Sequence, residues 1–96
     1  MATYTELRAL FGNDALRNRV EVALCIKVYA ILEEVTPSPE RLAWARSVLD
    51  SSYNEADSLL KYALAANAEL TTQQLAAASD EALLTAVGAA VDKLYP

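Results

Sequence analysis

Histidine is missing from this chain altogether, and cysteine, methionine, tryptophan and phenylalanine occur once each. Without an imidazole there is no Ser-His-Asp or Cys-His activation of a nucleophile, and the commonest nitrogen ligand for a metal is gone. The lone Cys25 excludes an internal disulfide and a thiolate zinc cluster. Only Gly12 and Gly88 are glycines, too far apart for a phosphate-cradling loop. With prolines at 37, 39 and 96 alone, the chain also lacks the turn residues that a β-sandwich or barrel needs. Cations are in the minority. A net charge of −5 opposes nucleic-acid binding, which rests on neutralising phosphates.

What is present is apolar and helical in rhythm. Hydrophobic residues make up 54% of the 96, much of it alanine, which favours helix strongly and buries little area. Leu, Val, Ile and the aromatic residues must therefore build the core. The length suits one domain spanning residues 1–96, of a size for which self-association is a common source of extra stability. The expected fold is all-α, a compact orthogonal bundle of about five to six helices around a long apolar central helix.

Local signals place those helices. Thr3 and Glu6 have capping-box spacing, and Gly12 ends a first helix over 3–11. A second helix, 14–34, aligns Leu16, Val20, Leu24, Val28, Ile31 and Val35 on one face, while Val22, Cys25, Ile26, Tyr29 and Leu32 cover much of the remainder. Between Val20 and Leu32 only Glu21 and Lys27 interrupt, so burial nearly all round is expected, with Cys25 a small buried hydrophobe. The run is too short and too charged to span a bilayer. Ser38 before Pro39 opens a third helix over 39–49, with Leu42, Ala45, Val48 and Leu49 inward. Ser52 and Glu55 open a fourth over 53–66. Thr71 and Gln74 form a further capping box with Leu70 and Leu75 as its hydrophobic staple, giving a short helix over 72–78. Ser79 then starts the last, 80–94, on the stripe Leu83, Leu84, Val87, Val91 and Leu94. The short-helix, turn, long-helix layout of 72–94 mimics a helix-turn-helix, but Lys93 is the only cation on its candidate recognition helix.

Adjacent carboxylates at Glu33-Glu34 and Asp80-Glu81 point to different helix faces, and Asp80-Glu81 suits a helix N-terminus. Glu33-Glu34 sits at a helix C-terminus and should meet solvent or an arginine. No catalytic, cofactor-binding or metal-ligating set is expected. The arginines (Arg8, Arg17, Arg19, Arg41, Arg46) all fall in the first half, whereas residues 50–96 carry the whole net charge of −5. Trp44 between Arg41 and Arg46 has the composition of an interface anchor. The candidate interface is therefore Arg41, Trp44 and Arg46 on one side and Asp50, Glu55 and Asp57 on the other, joining neighbouring copies or another protein.

The segment Asp14-Ala15-Leu16-Arg17-Asn18-Arg19-Val20, the apolar run to Leu32, Arg41-Leu42-Ala43-Trp44-Ala45, and Ala78-Ser79-Asp80-Glu81-Ala82 leading to Ala89-Ala90-Val91-Asp92 form a pattern. It resembles small all-helical proteins encoded among the structural genes of tailed bacteriophages and prophages. This resemblance implies a virion structural protein of the head–tail or neck region. Such a protein would form a homo-oligomeric ring and meet portal, capsid or tail components, with no cofactor, direct sequence-specific nucleic-acid contact or membrane role. It also implies assembly in the bacterial host cytoplasm, which agrees with the lack of disulfides and of a basic-then-apolar leader. The alternative is a small cytoplasmic adaptor or regulatory protein that binds one protein partner.

Overall fold

The computed structural model describes residues 14–50 and 70–96, together with Thr5, Ala9 and Gly12. The described residues form four helices and no strand: α1 (Asp14–Leu32), α2 (Pro39–Asp50), α3 (Thr72–Ala77) and α4 (Asp80–Leu94). The all-α class holds. Of the expected first helix, Thr5 and Ala9 are helical and Gly12 lies in a turn, while the expected helix over 53–66 lies outside the described residues.

α1 packs on both α4 and α2. Its inward stripe is the one its spacing predicts: Leu16, Val20, Leu24, Val28 and Ile31 are all buried, joined by Ala23. From α4 come Leu83, Val87 and Val91, with Ala86 and Ala90 buried between them. Ala45 of α2 and Leu75 of α3 complete the cluster, with Trp44, Val48, Leu70, Leu84 and Tyr95 packed around it.

Two expectations about α1 are corrected. The helix is long, but it is not buried all round: Val22, Ile26 and Tyr29 are 60%, 48% and 58% exposed. Cys25 is exposed as well. An apolar sequence on every side does not by itself supply neighbours on every side, and the described helices reach α1 from one side only. The second correction is at the C-terminal end. The Glu33 amide still donates to Tyr29, but the Glu34 amide tightens to Ile31, a closing turn of 3₁₀ type with which the helix stops at Leu32. Val35, expected inward, is consequently 97% exposed.

The caps follow their local chemistry. Ser38 Oγ accepts from the Arg41 amide at 3.3 Å and donates to the Pro96 carbonyl at 2.7 Å. Thr71 and Gln74 close a reciprocal box, 3.2 Å from the Gln74 amide to Thr71 Oγ1 and 2.9 Å from the Thr71 amide to Gln74 Oε1. Ser79 Oγ accepts from the Ala82 amide at 3.2 Å. Only Ala78 and Ser79 lie between α3 and α4, both extended, so the chain turns from one helix into the next without a loop.

Leu24, 1% exposed at the middle of α1, is among the largest fully buried side chains. Leu24→Ala is expected to lower unfolding free energy by about 2–5 kcal/mol in a denaturant titration. A loss below about 0.5 kcal/mol, the size of a surface change, would place that face in solvent.

Candidate functional site

Two features of the described residues carry chemistry: an ionic cluster where α1, α2 and α4 meet, and an uncharged outer face on α1.

The cluster is organised by Arg41. Its guanidinium is nearly enclosed, with 10% of the side chain exposed, and every nitrogen is occupied. Nε donates to both Glu34 oxygens at 3.1 and 3.2 Å, and Nη2 donates to Glu34 Oε1 at 2.9 Å. Nη2 also reaches Asp92 Oδ1 at 2.7 Å, and Nη1 donates to the Tyr95 carbonyl at 2.9 Å. Asp92 Oδ1 is shared with Lys27 Nζ, 2.9 Å away on α1. The Tyr95 ring stacks on Trp44 at a centroid distance of 5.0 Å and an interplanar angle of 21°. Two cations and two carboxylates thus close a neutral set that ties α1, the turn after it, α2 and the end of α4.

Each partner leaves a mark on its neighbour's acidity. Hydrogen bonding to Glu34 raises the Arg41 pKa, outweighing the opposing effect of burial, and Asp92 adds to the rise. For Asp92, burial pushes the carboxyl upward as the largest single influence. Lys27 and Arg41 together more than reverse it and hold it below the ordinary value. A second cross-tie lies at the other end of α4, where Arg19 Nε donates to Asp80 Oδ1 at 2.8 Å and Nη2 donates to the Ala78 carbonyl.

These contacts redistribute the expected interface residues. Arg41 is turned inward, and all three of its guanidinium nitrogens are engaged by its own chain rather than presented as a fork to a neighbour. Trp44 is half-buried on Tyr95. Arg46 and Asp50 are exposed, while Glu55 and Asp57 lie outside the described residues. The structure therefore joins Arg41 and Trp44, through the backbone and ring of Tyr95, and separates both tasks from Arg46. Sequence reasoning missed Lys27, Asp92 and Tyr95 altogether; the only available hint was Lys27 itself, a lone cation within the apolar run. Of the surroundings expected for Glu33-Glu34, solvent or an arginine, Glu34 meets Arg41 and Glu33 is exposed.

The outer face of α1 is of the opposite character. Ala15, Asn18, Val22, Cys25, Ile26, Tyr29 and Ala30 are all exposed, and none is charged. Beside it opens a groove of about 360 Å³, lined by Val22, Ala23 and Ile26 from α1 and by Leu83 and Leu84 from α4, with Arg19, Asp80 and Glu81 at its rim. Large exposed hydrophobic residues grouped on one helix face mark a contact surface, whereas scattered ones need no explanation. Among the described residues no group of three or more His, Cys, Asp and Glu could hold a metal ion, and no helix is long and apolar enough to cross a membrane.

The chain matches no family model, no curated protein and no solved structure.

The ionic cluster sets a pH dependence. Asp92 titrates lower in the folded chain than in the unfolded one, so its contribution is fully present above about pH 3.9, the ordinary aspartate value, and is lost as pH falls through the folded value. Melting temperature followed below pH 5 should fall more steeply for the wild type than for Asp92→Asn; parallel curves would remove Asp92 from the cluster's energetics. Exposed Cys25 should react stoichiometrically with a thiol reagent in native buffer, and protection until denaturant is added would contradict its placement.

Proposed function

We propose that this chain is a structural subunit that works by protein–protein contact rather than catalysis, in the virion of a tailed bacteriophage. The sequence resemblance supplies the setting: a homo-oligomeric ring at the head–tail connector or neck, assembled in the host cytoplasm and meeting portal, capsid or tail components. The observation that carries the contact reading is the outer face of α1, where Val22, Ile26 and Tyr29 stand in solvent among exposed helical residues that carry no charge. A polypeptide of this size gains nothing for its own folding by exposing three large hydrophobic residues along one helix. It gains where a second surface covers them. The compact orthogonal bundle of five to six helices is the frame in which we place that face. Arg46 and the exposed edge of Trp44 are a second candidate contact, directed at an acidic surface.

The alternative is an adaptor or regulatory protein that takes one helical partner. The groove beside α1 favours it, because apolar walls with a charged rim suit a single amphipathic helix.

Quantitative mass spectrometry of particles purified from cells that carry the gene separates the two readings. A subunit appears in fixed, symmetric copy number. Val22→Asp, an exposed change worth within about 0.5 kcal/mol to the isolated fold, should reduce its occupancy at least tenfold. Wild-type occupancy of Val22→Asp would detach that face from assembly. Absence of the chain from every particle, with a single soluble partner recovered instead, would favour the adaptor.

A further inference from the structure

The charges that bracket the outer face of α1 are arranged symmetrically about its centre. Arg19 lies two turns before Ile26 and Glu33 two turns after it, and both project close to the line of Ala15, Val22 and Ile26. Arg19 uses Nε and Nη2 on Asp80 and Ala78, which leaves Nη1 without a partner among the described residues. The exposed Glu33 carboxylate has none among them either.

We propose that this face pairs with the same face of a second copy, antiparallel, about a two-fold axis passing beside Ile26. The inference rests on reading the face as a contact surface and adds its occupant and geometry. In that arrangement each Arg19 meets the partner's Glu33, so two ion pairs flank the apolar centre. Ile26 then meets its own copy, and Val22 lies opposite the partner's Ala30. A parallel pair would set Arg19 against Arg19 and Glu33 against Glu33. The charge pattern selects against that orientation, as like charges do at helix interfaces. An isologous contact of this kind is self-complementary, unlike the head-to-tail contact that closes a ring, and one chain can use both.

Cysteine cross-linking in a Cys25→Ser background reads the axis directly. Ile26→Cys should form a disulfide dimer under mild oxidation. Val22→Cys alone should not, because two copies of that position would sit about 12 Å apart along the helix axes, whereas Val22→Cys mixed with Ala30→Cys should cross-link. By sedimentation, Glu33→Arg should weaken the dimer at least tenfold. Combining it with Arg19→Glu should restore the dimer, with melting followed in parallel because Arg19 also holds Asp80. A wild-type monomer at every concentration, cross-linking of Val22→Cys as fast as Ile26→Cys, or a dimer indifferent to Glu33→Arg each overturns the pairing. Failure of the pairing while Val22→Asp still lowers particle occupancy would leave the contact reading standing with a different occupant; failure of both removes the face from function.

Discussion

A single guanidinium determines how the described helices meet. Arg41 is buried among groups that would be costly to enclose singly, and each is tolerable only because the others are present. Glu34 brings the turn after α1 back onto α2, Asp92 and the Tyr95 carbonyl bring the end of α4 to the same point, and Lys27 ties α1 to the shared carboxylate oxygen. The hydrophobic stripes decide that α1 and α4 lie together. They are non-directional, however, and would tolerate sliding. Directional hydrogen bonds from a planar fork fix the register between the helices.

That division of labour explains what could be read from the chain alone. Ser38, Thr71 and Ser79 were legible as caps because a cap is satisfied within four residues of itself. The stripe Leu16, Val20, Leu24, Val28 and Ile31 was legible because helical period is a local property. Arg41 was not legible as an internal cross-tie, since its partners Asp92 and Tyr95 lie half a chain away and nothing near Arg41 in sequence announces them. Its sequence neighbours Trp44 and Arg46 suggest a surface cluster instead, and only Arg46 of the two arginines is exposed.

The outer face of α1 failed to be read for a different reason. Periodicity marks the side of α1 that meets the core but says nothing of what covers the apolar remainder, and burial all round is a statement about neighbours rather than about the helix. Cys25, Val22, Ile26 and Tyr29 share that error and one cause. The residues most informative about function are thus those whose hydrophobicity the described fold leaves unused.

Gly88 illustrates how closely the cross-tie is gauged. It lies one turn before Asp92 on α4, and a methyl group placed on it would come 3.8 Å from Cδ of Lys27, an ordinary touching distance. The lysine stem therefore passes directly over this position on its way to the carboxylate. Glycine within a helix costs roughly 0.5–1 kcal/mol relative to alanine, and no positive backbone angle requires it here. One methyl group fits; a branched or longer side chain would lift the stem and swing its ammonium away from Asp92. The position acts as a clearance slot, its tolerance set by the thickness of an alkyl chain, and alanine there would recover helix stability without displacing the lysine stem.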